Sequence, residues 1–460
     1  MLSWLVAKFE QAQDRPALIW RDQTSSYGWL RRRIDYWLCQ LGGPSALAGR
    51  VVALEADYSP DAVALLLALA HARAIIVPLT SATRSNKTRF RTIGQTEQVI
   101  AITSSEKIVI ECTGTVAEHP HYRELRSREH AGLVFFSSGS TGEPKAAVHD
   151  FVHLIEKFKT PRHSLRAITF LLLDHIGGIN TLLYNLSNLG TSVVVEDRSP
   201  DAVCATIARH AVELLPTTPT FLNLLLLSEA HRRHDLSSLR KISYGTEPMP
   251  QSTLKRLHSE LPHVKLLQTY GMSELGILRS KSKCDDSLWV KIGGEGFETK
   301  VVNRILHVRA HCAMLGYLNA PSPFDADGWL CTGDEVEVDG EYFRILGRRS
   351  ELINVGGEKV YPAEIESRLL EDANVREAVV VGEPNPITGK MVVAYVQLNQ
   401  PEPPAELRKR LRAFCAERLE PFKVPAKIQA SAERLHNLRF KKVRRLDPAV
   451  SNVCCSGGGK

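Results

Sequence analysis

Apolar residues fall in short unbroken runs, separated by stretches where they recur every three or four positions. The runs at 75–79, 167–173 and 191–195 have the length and continuity of parallel strands buried on both faces. Residues 199–210 and 251–261 carry apolar positions at helical spacing between such runs. This alternation predicts an α/β architecture of sheets covered by helices. From Ile305 onward the texture changes to short strands and turns, at 306–309, 340–346, 378–382 and 391–398. Asp339-Gly340 between alternating residues is a hairpin signal. The pattern predicts a large N-terminal domain over 1–346 and a smaller α+β domain over 347–460. The latter should carry long helices near 362–370 and 405–419, and a disordered end at 456–460.

Length agrees with more than one domain, since 460 residues exceed a single ordinary core. With 43% hydrophobic and 24% charged residues the chain reads as a soluble globular protein, and no apolar run is long enough to span a bilayer. Residues 1–7 are apolar but are cut short by Lys8 and Glu10, with no basic leader or cleavage site, so no secretory signal is expected. Nine scattered cysteines without a C-x-x-C pair suit reduced thiols in a cytoplasmic protein, and argue against a disulfide framework or structural zinc. The formal charge of +7 is matched by residues 421–460 alone, which hold nine Lys/Arg against two Asp/Glu. Only Phe422 and Phe440 are aromatic there, too few for a base-stacking surface, so a solvated face or a phosphorylated small molecule is expected before nucleic acid.

The most informative string is Phe135-Phe-Ser-Ser-Gly-Ser-Thr-Gly-Glu-Pro-Lys145. A strand end leads into Ser137, Ser138, Gly139, Ser140, Thr141 and Gly142, closed by Lys145. Glycines let backbone N–H groups approach phosphate oxygens, hydroxyls add donors, and the lysine adds charge. It is not a Walker P-loop: Pro144 precedes the lysine and Ala146 stands where magnesium needs a hydroxyl. Ser/Gly clusters are often plain linkers; the length and order of this string argue otherwise.

With Tyr244-Gly-Thr-Glu-Pro-Met249, Gln268-Thr-Tyr-Gly-Met-Ser-Glu274, Cys331-Thr-Gly-Asp334 and the segment from Gly347-Arg348 to Glu366, the chain resembles the adenylate-forming superfamily of acyl-CoA synthetases, aryl-CoA ligases and adenylation domains, from about Ser26 to Arg445. The resemblance implies a loop around the ATP β- and γ-phosphates at 137–145. Gly245, Thr246 and Glu247 would line the adenine, with Tyr270 stacked on it beside Gly271. Ser273 would contact the α-phosphate, Glu274 would hold Mg²⁺, Asp334 would clamp the ribose and Arg348 would contact the nucleotide. Ser350 falls at the hinge of the small domain, where the family usually has Asp or Lys. Gly356 and Gly357 would line the tunnel for a pantetheine thiol. The family's closing lysine aligns with Lys442, which would be catalytic; Lys441 replaces the usual Gly and is the second candidate.

By the same resemblance Leu173-Asp-His-Ile-Gly-Gly-Ile-Asn180 matches the region forming the acyl pocket and shielding the thiol channel. Many CoA ligases carry a His at the place of His175. Amino-acid activators use an Asp near Asp174 for the substrate ammonium, but after an aromatic residue, where this chain has Leu173. An acid without an α-amine is therefore expected. Ile176, Gly178, Met272 and Leu275 suggest an apolar pocket for an aryl or medium alkyl acid. The expected chemistry is ATP-dependent formation of an acyl-adenylate, then of a thioester with CoA. Two alternatives stay open: loading of a carrier-protein phosphopantetheine, and a degenerate nucleotide-binding regulator, which only Ser350 and Lys441 favour.

Overall fold

The computed structural model describes residues 2–103, 105–138 and 143–444. The chain divides into two compact units, Met1–Met249 with Leu254–Ile345 and Pro250–Thr253 with Leu346–Lys460. No helix among the described residues is long and apolar enough to cross a membrane.

In the first unit, one seven-stranded sheet runs Lys265–Gln268, Lys241–Tyr244, Leu214–Thr217, Arg166–Ile168, Thr191–Val193, Pro16–Trp20, Gln23–Ser26, and all its pairings are parallel except the last. A second runs Gly316–Tyr317, Pro144–Asp150, Gly132–Ser138, Ile75–Leu79, Val51–Glu55, Gln98–Ile102, Ile108–Cys112. Its central strands Val51–Glu55 and Ile75–Leu79 are buried throughout and pair in parallel from Val51↔Ile75 to Glu55↔Leu79. An unbroken apolar run is what a strand covered on both faces requires. A six-stranded sheet begins at Ser280, and its strands belong to this unit as far as Ile345.

The helices Pro60–His71, Pro200–His210 and Pro219–Leu227 share one start signal. Ser59, Ser199 and Thr218 each accept a hydrogen bond from the backbone N–H three residues on, and proline occupies the first helical position. Helix Pro60–His71 is buried from Ala62 to Ala70 without a polar stripe, the mark of a helix enclosed on all sides.

The strand expected over 167–173 ends at Ile168. Beyond it the chain must turn to begin the helix Ile176–Ser187, and a Cβ on Gly178 would lie 1.9 Å from the Leu172 carbonyl oxygen. The run is apolar because Phe170 and Leu173 are core residues, not because it is extended.

The second unit has a five-stranded sheet of Glu358–Val360, Ile353–Val355, Gly389–Leu398, Val375–Asn385 and Lys427–Ala430. Helices Pro362–Leu369 and Pro404–Ala416 pack on it through Ile365, Leu369, Leu407 and Leu411.

Candidate active site

Strands Gly132–Ser138 and Pro144–Asp150 pair antiparallel to the end, with Ser137 opposite Lys145 and Ser138 opposite Pro144. The ladder thus holds both feet of the phosphate-type loop at sheet spacing. Gly139, Ser140, Thr141 and Gly142 lie outside the described residues, as does the side chain of Ser138. The short strand Gly316–Tyr317 pairs with Ala147 and Val148 on the far edge. Asn319 Oδ1 accepts from the Ala146 N–H at 3.0 Å, and its Nδ2 donates to the Pro144 carbonyl at 2.8 Å.

Tyr317 then joins two elements. Its hydroxyl donates to Glu274 Oε1 at 2.5 Å, and Lys145 Nζ lies 5.2 Å from its ring centroid. The segment carrying Glu274 is tied to the same strands, since Met314 N–H donates to the Glu274 carbonyl and His149 Nε2 meets the Ser273 carbonyl at 2.5 Å. A carbonyl only accepts, so His149 carries its proton on Nε2. Complete burial pushes the His149 pKa down to about 4. Sequence reading missed Tyr317, Asn319 and His149. A two-residue strand gives no periodic signal, although Gly316-Tyr317 directly follows an apolar run.

Tyr244 and Gln268 end two adjacent parallel strands in register, and open α/β sheets bind ligands outside such carboxyl ends. The Tyr244 carbonyl accepts from both Thr269 N–H (2.7 Å) and Thr269 Oγ1 (3.0 Å). A Cβ on Gly245 would sit 2.7 Å from the Thr269 carbonyl oxygen, so the approach of these two turns requires glycine. Gly271 is as tightly held: a Cβ there would sit 2.7 Å from the Gly276 carbonyl oxygen. Thr246 is exposed at φ 74°, and Glu247 Oε2 accepts from Thr220 Oγ1 at 2.6 Å. Tyr270 donates its hydroxyl to Asp334 Oδ2 at 2.6 Å, and both are buried. Thr332 Oγ1 accepts from the Asp334 N–H at 3.1 Å, which fixes the carboxylate on its strand.

His175 caps the helix Ile176–Ser187, its Nδ1 accepting from the Gly177 N–H at 3.0 Å. Asp174, 3% exposed, accepts at Oδ2 from the Thr80 hydroxyl (2.7 Å) and N–H (3.3 Å). Ile176 and Leu275 are buried in the main core, whereas Met272 packs partly buried at its edge.

In the second unit Arg348 and Ser350 are exposed around a short 3-10 turn, Arg349–Glu351. Gly356 and Gly357, at φ 60° and 98°, form the two-residue turn between paired Val355 and Glu358. Positive φ at both positions is what a tight hairpin demands, so these glycines have a local reason to be there. Lys442 Nζ pairs with Glu366 Oε2 at 2.7 Å. Lys441 accepts at its carbonyl from the Asn437 N–H at 2.9 Å, closing the loop before it. Arg445 and the rest of the basic end lie outside the described residues.

A hairpin with Lys145 at its foot, a carboxylate joined to it through Tyr317 and a Tyr270–Asp334 pair thus all belong to the first unit of an α/β protein. The AMP-binding enzyme model matches residues 5–302, and the AMP-binding enzyme C-terminal domain model matches 364–441, ending one residue before Lys442. The chain belongs to the AMP-binding enzyme family. It is similar to 2-succinylbenzoate–CoA ligase of Bacillus subtilis, 29% identical over 93% of each chain. It is 31% identical to a dioxo-octahydroindenyl-propanoyl:CoA ligase of Rhodococcus jostii, over 64% of this chain and 60% of that one, so it spans under two thirds of that relative. Indoleacetate–CoA ligase of Aromatoleum aromaticum is 31% identical over 57% of this chain and 56% of its own length. The fold is that of an anthranilate CoA ligase holding anthranoyl-AMP, with TM-score 0.78, 20% identity and 95% coverage of both chains.

Proposed function

We propose that the protein is an AMP-forming acid–CoA ligase acting on an aryl or medium alkyl acid without an α-amine. The observation that carries this reading is the junction of Lys145, Tyr317 and Glu274 beside the Tyr270–Asp334 pair, within one compact unit. The names of the relatives point to the same reaction class. In the first step the substrate carboxylate attacks the α-phosphorus, the bond to the β-phosphate oxygen breaks, and pyrophosphate leaves. The substrate is already ionised, so no general base is required. Positioning and neutralisation of charge do the catalysis. Lys145 and the loop it closes hold the leaving phosphates, Asp334 accepts from the ribose hydroxyls, and Lys442 stabilises charge between carboxylate and α-phosphate. In the second step the CoA thiolate attacks the acyl carbon, the bond to the AMP oxygen breaks, and AMP leaves.

Glu274 suits Mg²⁺, which takes one or two protein carboxylates and completes its shell with water and phosphate oxygens. Among the described residues no cluster of three or more His, Cys, Asp or Glu side chains is placed to hold a metal ion. When bound, the cation neutralises phosphate charge. Asp174 bears on the acid: its carboxylate is buried and already serves Thr80, so a substrate ammonium has a competitor for it. A panel of carboxylic acids scored by pyrophosphate release, with and without CoA, tests the reading. Release with aryl or alkyl acids and a CoA-dependent thioester product are expected. Activity confined to α-amino acids, or transfer only to a carrier protein, would overturn it.

A further inference from the structure

Glu366 is 1% exposed, on the inner face of helix Pro362–Leu369, and a carboxylate so placed must be matched by charge. Lys442 Nζ meets its Oε2 at 2.7 Å, Arg444 binds both of its oxygens, and the Val380 N–H donates to Oε1 at 3.0 Å. Arg444 also pairs with Glu351 Oε2 at 3.0 Å, so two cations face two carboxylates. Burial raises the Glu366 carboxyl, and the adjacent Lys442 and Arg444 charges override this and hold it below its ordinary range. The Lys442 side chain remains 17% exposed, so its tip is not sealed in.

We infer that Glu366 is a positioning residue for Lys442: its carboxylate anchors the ammonium by a charge-assisted hydrogen bond and so sets where that charge is presented to the reacting carboxylate and α-phosphate. This deepens the proposed reaction and rests on Lys442 as the lysine of the adenylation step. A long lysine stem has many rotamers, and a fixed partner removes most of them before the substrate binds. The pairing lies wholly within the second unit, so it travels with that unit whatever the unit does.

The test is Glu366→Gln and Glu366→Asp in the full chain, with both half-reactions measured separately. Gln keeps an acceptor for the Val380 N–H and removes the charge; Asp keeps the charge and shortens the reach. For Glu366→Gln the kcat of acyl-adenylate formation should fall about 10- to 100-fold, the equivalent of one charge-assisted hydrogen bond. KM for ATP should hold, as should thioester formation from supplied acyl-adenylate. Glu366→Asp should recover part of the loss, and if the Gln variant does not fold, the Asp variant decides by the same split. Equal loss in both half-reactions would make Glu366 merely structural and overturn the inference. So would a crippled Lys442→Ala beside an unaffected Glu366→Gln. An unaffected Lys442→Ala would instead overturn the reading on which the inference rests.

Discussion

The Tyr270 hydroxyl donates to the carboxylate proposed to receive the ribose, so ring and acid act as a pair. Tyr270→Phe keeps the stacking ring and removes the hydrogen bond that orients Asp334. A bond of this kind to a charged group is worth about 1.5–3 kcal/mol, so KM for ATP should rise about tenfold or more with little change in kcat. Pyrophosphate exchange against ATP concentration checks it, and an unchanged KM would leave the pair without a role in nucleotide binding. Glu274 sits in an analogous pair with Tyr317. Glu274→Gln should cut adenylation by about two orders of magnitude and weaken its Mg²⁺ dependence, whereas Tyr317→Phe should cost only about three- to tenfold. His149 behind Ser273 carries a stability signature. Its pKa is about 4 when folded against an ordinary 6.5, so below pH 6.5 the unfolded chain takes up a proton that the native chain refuses. Stability of the first unit should fall between about pH 6.5 and 4, by roughly 3 kcal/mol. Urea unfolding across that range should show a shallower fall for His149→Gln, and identical pH slopes would remove His149 as the cause.

Segment 169–180 shows how an element's start decides what its residues can do. Asp174 is locked to Thr80 and His175 is consumed in part as a helix cap, so the pair fixes where helix Ile176–Ser187 begins. Asp174→Ala would strand the Thr80 N–H and hydroxyl at a cost of about 1–3 kcal/mol. It should lower the melting temperature without conferring activation of any α-amino acid. A gain or loss of amino-acid-dependent pyrophosphate exchange in that variant would show the carboxylate facing substrate instead. The resemblance offered Gly178 for an acyl pocket; the close approach of the Leu172 carbonyl, which gives this glycine a local reason to be there, was not legible. The extent of the preceding strand was not legible, because full burial gives a loop the same apolar run as a strand. The strand end before the Ser/Gly-rich loop was readable from its apolar residues, and the strand Gly132–Ser138 bears it out. Tyr317 was not, because its strand is two residues long and its meaning depends on pairing with Ala147, far off in sequence. The Glu366–Lys442 contact was hidden for a similar reason, joining residues separated by a whole sheet and helix.

At the scale of the whole chain, the candidate groups divide between the two compact units, and so should the consequences of changing them. The first unit carries Lys145, Tyr270, Glu274 and Asp334; the second carries Lys442 and the Gly356-Gly357 turn. One reaction step drawing on Lys442 and another drawing on that turn would let a single unit serve both, a use of domain motion known in principle. Gly357 offers a clean separation, because a Cβ there meets nothing within 4 Å, so a side chain starts into open space. Its φ of 98° still strains any L side chain, so the strain needs its own control. Gly340, at φ 59° with equally open surroundings in a hairpin of the first unit, supplies one. Gly357→Leu should spare pyrophosphate exchange and depress thioester formation from supplied acyl-adenylate by tenfold or more. Gly340→Leu should leave the ratio of the two half-reactions at the wild-type value, whatever it does to stability. If the two variants behave alike, Gly357 is a turn residue only, with no part of its own in the thiol step.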